Sequence, residues 1–265
     1  MAVEYFIEDF GYGLPLIHHA LTLNPDAIIH TRNRNLQQYA TLFGLAINKT
    51  FEVGKNSSRI YIGSSSKPDS YNSIIHKAKL KGNHSSVYMD NWVNYSSRII
   101  NLPNEMLVSD PWAFDLCKET FPRSEISIIP NYYLEYLRSN FIKKASTYIL
   151  YIDSPLNNYN NQGLREHGKN CKCTELLILG KKSSWDIRIR FHPGYELTEC
   201  DRYLVSNSVV QVSRKSLLED LESAHLVIGP ISYVHYISEN LGVPSFVNCL
   251  PNSNYKGPKF RELLI

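Results

Sequence analysis

Short apolar runs recur through the first half of the chain and are separated by stretches long enough to form helices. The apolar runs predict strands at residues 3–7, 27–30, 59–62, 86–89, 106–108 and 126–129. Helices are predicted at residues 15–23, 70–81 and 111–120, the first and last of which open on a proline, a residue suited to the first turn of a helix. Strands that alternate with helices at this spacing favour a parallel sheet covered by helices on both faces.

A second series of apolar runs begins after residue 145. The near-continuous apolar run at 146–152 is typical of a central parallel strand, and further strands are predicted at 187–191, 208–212, 226–228 and 245–247. Residues 131–144 predict a polar connecting helix, and residues 154–170 predict a loop because they are rich in turn-forming side chains. We therefore expect an α/β protein with two Rossmann-like domains, residues 1–140 and 141–265, that face a central cleft.

Composition excludes several classes of protein. The chain has 265 residues, of which 43% are hydrophobic and 20% charged, as in an ordinary globular protein. The net charge of +3 is small and no basic stripe is present, so a nucleic-acid partner is not expected. No apolar run approaches the roughly 20 residues of a membrane span, and the N-terminus lacks a signal-peptide pattern. A cytoplasmic protein is expected.

Cysteine and histidine positions give little support to metal or disulfide chemistry. The five cysteines are odd in number and irregularly spaced, which favours free thiols in a reducing compartment. His167, Cys171 and Cys173 lack a fourth ligand at a standard spacing, so no metal site is expected. His18 and His19 fall in an amphipathic helix and are expected at its surface.

Two common nucleotide motifs are missing. The chain has neither the three-glycine dinucleotide fingerprint nor the lysine-containing phosphate loop, so dinucleotide oxidoreduction and phosphate-loop chemistry are disfavoured. The glycine–serine sequence at 63–66 could bind an anion through backbone N–H groups or form only a turn. No Asp-x-Asp sequence occurs, so we expect no cofactor and no metal-bridged donor.

The segment 216–246 carries the strongest chemical signal. A helix leads into the strand at 226–228, then Gly229-Pro230, and then a second helix that opens at Ser232. The free N–H groups at that helix start and the Ser232 hydroxyl would form a cradle for a phosphate. Glu239 lies two turns along the same helix face and could accept both ribose hydroxyls of a nucleotide. The alternative is a capped crossover with a solvated glutamate.

The segment 186–194 is the second signal. Alternation places Arg188 and Arg190 on one face of a strand, and His192 follows at the strand end, where a ligand would lie. Pro193 makes the turn rigid, so the imidazole could bind a departing phosphate. The alternative is a histidine packed against a turn. The predicted donor-binding residues are Arg190, His192, Pro193, Gly229, Ser232, Tyr233 and Glu239.

These two segments together resemble the C-terminal half of GT-B glycosyltransferases. More narrowly, they are similar to bacterial sialyltransferases, Kdo transferases and teichoic-acid polymerases, which use cytidine-nucleotide donors. The resemblance implies that His192 and Ser232 hold the donor phosphate. It also implies an acidic motif in the N-terminal half that supplies the catalytic base. Glu8-Asp9 is the nearest match, although Phe10 separates the acids from Gly11.

A third segment, residues 86–98, is rich in side chains that bind sugars. Asp90 ends a strand and competes with Asp9 as the base, aromatic rings can stack on sugars, and Arg98 can bind a carboxylate with two hydrogen bonds. Packing of the aromatic side chains in the core is the alternative. The predicted acceptor-binding residues are Glu8, Tyr12, Trp92, Asn94, Tyr95 and Arg98.

The resulting hypothesis is an inverting, metal-independent glycosyltransferase of polysaccharide biosynthesis. Its partners would be a nucleotide-sugar donor, resembling CMP-sialic acid or CMP-Kdo, and a glycan or lipid-linked glycan acceptor. Two alternatives stay open: a UDP-sugar transferase or epimerase of the same fold, and an inactive carbohydrate- or nucleotide-binding subunit of a polysaccharide assembly complex. The basic pairs at 143–144 and 181–182 either contact the inner face of the membrane or form a solvated face.

Overall fold

The chain forms two compact α/β units. The computed structural model describes residues 2–54, 57–64, 68–89, 92, 95–153, 174, 176–181, 183–192, 197–249 and 257–262. The boundary between the units falls between Ser139 and Asn140, next to the boundary expected from the sequence. The predicted loop at 154–170 lies outside the described residues.

The described part of the first unit contains a seven-stranded parallel sheet. Its elements in chain order are β1 (Ala2–Phe6), α1 (Phe10–Leu23), β2 (Ile28–His30), α2 (Arg34–Leu42), β3 (Ala46–Asn48), β4 (Ser57–Gly63), α3 (Pro68–Leu80), β5 (His84–Tyr88), α4 (Tyr95–Arg98), β6 (Glu105–Val108), α5 (Pro111–Thr120), β7 (Glu125–Ile128) and α6 (Tyr132–Asn140). The strand order is β3-β2-β1-β4-β5-β6-β7. The order reverses between β1 and β4, so their carboxyl ends form a switch point where such sheets bind ligands.

The second unit repeats this order on six strands. Its elements are β8 (Tyr148–Ile152), α7 (176–181), β9 (Asp186–Arg190), α8 (Glu199–Ser206), β10 (Gln211–Val212), α9 (Leu217–Ser223), β11 (Ala224–Pro230), α10 (Tyr233–Asn240), β12 (Ser245–Cys249) and β13 (Arg261–Glu262). The described strands are parallel in the order β10-β9-β8-β11-β12-β13. The switch point of this sheet lies between β8 and β11.

His18 and His19 of α1 are both buried, so the expectation that they lie at the helix surface is wrong. The His18 Nε2 atom lies 2.8 Å from the Tyr39 hydroxyl of α2, and the His19 Nδ1 atom lies 2.7 Å from the Tyr5 hydroxyl of β1. The His18 ring also packs on Tyr136 of α6. Because α2 and α6 cover two sides of α1, the helix has little solvated face. Burial lowers the pKa of both histidines to about 4.

A polar ladder crosses four neighbouring strands of the first sheet. Glu105 of β6 accepts hydrogen bonds from Ser86 of β5 at 2.9 Å and from Ser127 of β7 at 2.7 Å. The Arg59 guanidinium of β4 pairs with the same carboxylate at 2.5 Å. Burial of Glu105 acts to raise its pKa, but these hydrogen bonds and Arg59 together hold the pKa below its ordinary value.

Cysteine pairing differs from the expectation of free thiols. Cys200 is disulfide-bonded, whereas Cys117 is a free thiol buried in the first unit. Burial raises the pKa of Cys117 to about 12. The expectation was wrong for Cys200 because cysteine spacing along a sequence does not report which thiols the fold brings together.

Candidate functional site

The carboxyl ends of three neighbouring strands of the second unit meet at its switch point. Asp153 follows β8, His192 follows β9, and Ser232 follows β11. The backbone N–H of Asp153 donates to the Arg190 carbonyl at 3.0 Å and joins the first two strand ends. The structure therefore brings His192 and Ser232, which were predicted to bind one phosphate, to the same edge of one sheet.

Gly229 permits a close approach of β11 to β8 at this edge. Its φ is +151°, a conformation that residues with a Cβ rarely adopt. A Cβ at this position would lie 2.2 Å from the carbonyl oxygen of Ile152. Both constraints require glycine immediately before the turn that leads to Ser232.

The turn after Gly229 ends in the start of α10, as the sequence predicts. Ser232 is the N-cap residue, and its Oγ accepts a hydrogen bond from the Val234 N–H at 3.1 Å. The hydroxyl retains its own proton, which it can donate to an anion. In the first helical turn, the Val234 N–H is bonded to that hydroxyl, and the His235 N–H donates to the Ser232 carbonyl at 3.0 Å. This turn presents the Ser232 hydroxyl and the positive end of α10 to the switch point.

Glu239 lies on the last turn of α10 and is exposed. Desolvation raises the pKa of its carboxyl, and Arg261 of β13 opposes that shift. A carboxylate can accept hydrogen bonds from neutral hydroxyl groups such as those of a ribose. Tyr233, at the other end of the helix, packs against Tyr236 with ring centroids 5.5 Å apart.

Arg190 is bound by groups of its own unit. Its Nη1 atom donates to the Asp220 carboxylate at 2.9 Å and to the Lys215 carbonyl at 2.7 Å. Asp220 is fully buried and also accepts a hydrogen bond from the Ser213 hydroxyl. This placement gives Arg190 a structural role, and its contact with a donor stays a prediction. His192 is exposed at the strand end, and Pro193 lies outside the described residues.

Glu8 and Asp9 follow β1 at the switch point of the first sheet. Asp9 is the N-cap of α1, where its Oδ1 atom accepts from the Gly11 N–H at 3.1 Å. The Oε2 atom of half-buried Glu8 is enclosed and accepts no hydrogen bond from the described residues. Tyr12 lies in the first turn of α1, and its side chain falls outside the described residues.

Arg98 is buried beside the end of β4. Its Nη2 atom donates to the Ser64 hydroxyl at 3.1 Å, which places a guanidinium close to the same switch point. The Ser64 backbone N–H donates to the Tyr88 carbonyl at 3.2 Å, and is therefore already used within the fold. Ser65 and Ser66, the rest of the possible anion loop, lie outside the described residues.

The two predicted sugar-stacking rings are buried in the first unit. Trp92 is 3% and Tyr95 1% exposed. The Trp92 indole donates to Asp110 at 3.0 Å, and Asp110 also caps α5 through the Ala113 N–H at 2.8 Å. This arrangement matches the core-packing alternative, and acceptor stacking by these rings stays a prediction. Asp90 and Asn94 lie outside the described residues.

Sequence reasoning missed two residues of the second switch point. Asp153 is a buried carboxylate directly after β8, and His235 is a fully buried imidazole in the first turn of α10. An acid that immediately follows a continuous apolar strand was a usable signal for Asp153. No sequence pattern distinguishes His235 from a solvated helix residue, since its contacts come from other elements.

Two kinds of feature are absent from the part of the chain that the structure describes. There, no three His, Cys, Asp or Glu side chains are grouped so that they could hold a metal ion. No helix in the same residues has the length and apolar character needed to cross a bilayer.

Comparison with known proteins identifies the fold. No family model and no curated protein sequence matches the chain. A candidate UDP-N-acetylglucosamine 2-epimerase from Listeria monocytogenes matches with a TM-score of 0.62 at 10% identity, over 93% of this chain and 78% of the other. The UDP-GlcNAc 2-epimerase of Methanocaldococcus jannaschii, solved with UDP-GlcNAc and UDP, gives 0.59 at 12% identity, over 93% and 83%.

A glycosyltransferase from Rickettsia africae matches with a TM-score of 0.56 at 10% identity, over 95% of this chain and 80% of the other. Likeness at this identity establishes the fold alone. The chain has the two-domain α/β fold of GT-B glycosyltransferases, which confirms the fold predicted from the sequence.

Proposed function

We propose that the chain is a glycosyltransferase that uses a nucleotide-activated sugar. The observation that carries this proposal is the turn from Gly229 to Ser232, which brings the Ser232 hydroxyl and the positive end of α10 to the switch point of the second sheet. In this proposal the second unit binds the donor nucleotide, with its phosphate on the turn. Glu239, two turns along the helix, would accept the ribose hydroxyls.

Two nucleotides are the leading candidates for the donor. The sequence resemblance to sialyltransferases and Kdo transferases favours a cytidine monophosphate sugar. The M. jannaschii epimerase, which shares the fold, was solved with UDP-GlcNAc and UDP, so a UDP-sugar is the second candidate. In both donors the leaving group departs through a phosphate oxygen. The two donors differ in the pyrimidine base that the second unit must recognise.

The proposed reaction is a metal-independent displacement with inversion at the anomeric carbon. Negative charge grows on the departing phosphate as the glycosidic bond to it breaks. His192 and the Ser232 hydroxyl would donate hydrogen bonds to that charge, and each such donor is worth on the order of 3 kcal/mol in the transition state. The acceptor hydroxyl loses its proton to a carboxylate, for which Asp9 and Asp90 are the candidates.

Asp9 can serve as that base although it caps α1. The capping contact engages Oδ1 and the N–H of Gly11, and a carboxylate has a second oxygen that can accept a proton. Glu8, whose Oε2 atom has no hydrogen-bond donor among the described residues, would bind an acceptor hydroxyl. An acceptor in a polysaccharide pathway, either a glycan or a lipid-linked glycan at the inner membrane face, completes the proposal.

A binding panel tests the nucleotide specificity. CMP, CDP, UDP, GDP and ADP are titrated by thermal shift and calorimetry, each with and without magnesium. A ligand at a hundredfold over its Kd stabilises the folded state by about 2.7 kcal/mol. Binding of CMP without magnesium, weakened in His192→Ala and Ser232→Ala, supports the cytidine donor. If UDP is the only nucleotide that binds, the donor is a UDP-sugar. If none of the five nucleotides binds, the proposed nucleotide site is refuted.

A second candidate function is a binding subunit without catalysis. It is favoured by the contact that commits one oxygen of Asp9 to capping α1. A chain that binds the nucleotide but releases none from any activated sugar, in the presence of a mixed glycan acceptor library, would have this function. Turnover that is lost in Asp9→Asn would exclude it.

A further inference from the structure

A buried imidazole braces the turn that carries Ser232. His235 is 0% exposed and lies on α10, three residues after the N-cap. Its Nε2 atom lies 3.1 Å from the carbonyl oxygen of Pro230, and its Nδ1 atom lies 2.5 Å from the hydroxyl of Ser245. One ring therefore connects the end of β11, the start of α10 and the first residue of β12.

The partners of the ring fix its tautomer. A carbonyl oxygen can only accept, so Nε2 must carry the proton that goes to Pro230. Nδ1 is then the acceptor, and the Ser245 hydroxyl donates to it. Burial lowers the pKa of His235 to about 4, so the ring stays neutral and acts as a fixed donor. The Phe260 ring, 5.8 Å away between centroids, helps to enclose it.

The contact with Pro230 determines where the donors of the turn point. Gly229 already fixes one end of the turn against Ile152, and the N-cap contact of Ser232 fixes the other. Pro230 lies between them, and its carbonyl is held by the imidazole. If this carbonyl rotated, the peptide plane between Pro230 and Ile231 would rotate with it. The Ser232 hydroxyl would then move.

We infer that His235 is a positioning residue of the donor-phosphate site, which holds the turn from Gly229 to Ser232 in its anion-binding conformation through the Pro230 carbonyl. Ser245 supports it by donating to Nδ1, which holds the ring in place. This inference rests on the proposed nucleotide-binding function and adds to it a residue that does not itself contact the ligand.

The first test compares nucleotide affinity with stability. His235→Phe fills the space but removes the donor, whereas His235→Gln places an amide N–H near the position of Nε2. The matched control is Ser238→Ala, which removes a buried hydrogen bond from the same helix to the Val243 carbonyl, at 3.0 Å, away from the turn. Calorimetry with CMP and UDP gives the Kd, and urea unfolding gives the stability of each variant.

We expect His235→Phe to weaken binding about tenfold or more, because a buried acceptor in the site is left unpaired. His235→Gln should recover most of that loss, and Ser238→Ala should leave the Kd nearly unchanged while it lowers stability. Equal affinity of His235→Phe and the unaltered chain overturns the positioning role. Absence of nucleotide binding by the unaltered chain instead overturns the proposed function, and this inference with it.

A second measurement does not depend on the folding of His235→Phe. The ¹⁵N shifts of the His235 ring report the tautomer, and they should show a proton on Nε2 in the unaltered chain. Ser245→Ala should keep the proton on Nε2, because the Pro230 carbonyl still requires it, but the ring loses its second contact and the affinity for the nucleotide should fall. A proton on Nδ1 in the unaltered chain, or full nucleotide affinity in Ser245→Ala, overturns the proposed brace.

Discussion

Replacement of Gly229 by alanine should damage the second unit at its switch point. The added Cβ would lie 2.2 Å from the Ile152 carbonyl oxygen, which belongs to a central strand and cannot move without its neighbours. The φ of +151° adds backbone strain of about 1 to 3 kcal/mol. Forced overlap in a packed interior adds about 1 to 3 kcal/mol more. The expected loss is about 2 to 6 kcal/mol, a large share of a typical domain's stability.

Gly242→Ala is the matched control within the same unit. Gly242 also has a positive φ, +74°, but a Cβ there would meet no atom within 4 Å. Alanine in this conformation costs about 1 to 2 kcal/mol of strain and creates no overlap. The difference between the two variants therefore combines the contact with Ile152 and the less favourable φ of Gly229.

Urea unfolding followed by far-ultraviolet circular dichroism gives the two free energies. Hydrogen exchange with mass spectrometry then locates the damage, and we expect faster exchange in peptides from β8 and β11 of Gly229→Ala only. Nucleotide affinity should fall in this variant and persist in Gly242→Ala. The reasoning is refuted if Gly229→Ala is no less stable than Gly242→Ala and β8 exchanges at its normal rate.

Three further predictions concern other parts of the chain. The pKa values of His18 and His19 are lowered to about 4, so the unfolded chain takes up protons first and the free energy of unfolding should fall as the pH drops from about 6.5 to 4. Urea unfolding at several pH values should show that this free energy depends less steeply on pH in His18→Phe. An equally steep dependence would contradict the prediction. Asp220→Asn should lower stability by about 3 kcal/mol or more, since it weakens a fully buried partner of Arg190, and a change below 1 kcal/mol by urea unfolding would refute that. Asp9→Asn should abolish transferase turnover but keep the helix cap and the melting temperature. Asp9→Ala should abolish turnover and also lower stability by about 1 kcal/mol. Full turnover in Asp9→Asn would exclude Asp9 as the base.

The sequence predicted the fold class because strands in parallel sheets form continuous apolar runs. The runs at 146–152 and 226–228 lie in β8 and β11, which are central strands. The strands β3 and β13 were not predicted, since they are edge strands of only three and two residues. Of the strand predicted at 208–212, only Gln211–Val212 is observed as β10, and the φ of 56° at Ser208 excludes that residue from any extended strand.

The candidate site was predictable where a single element carries the signal. A strand, a glycine and a serine in succession located the start of α10, and the pairing of strand ends then placed His192 at the same edge. Contacts between elements were not predictable. The bond between His235 and Ser245 and the capture of Arg190 by Asp220 depend on residues far apart in the sequence. Such partners become known only when the helices and strands are assembled.

The polar ladder of the first sheet has a consequence for how its strands find their alignment. Three of the four residues of β6 are apolar and would fit an apolar environment on either face of the sheet. A one-residue slip of β6 would move Glu105 to the opposite face, away from Ser86 and Ser127. It would also leave Arg59 without its partner and bury an unpaired carboxylate. Glu105 therefore makes misaligned pairings of β5, β6 and β7 unfavourable, although the apolar side chains alone would tolerate them.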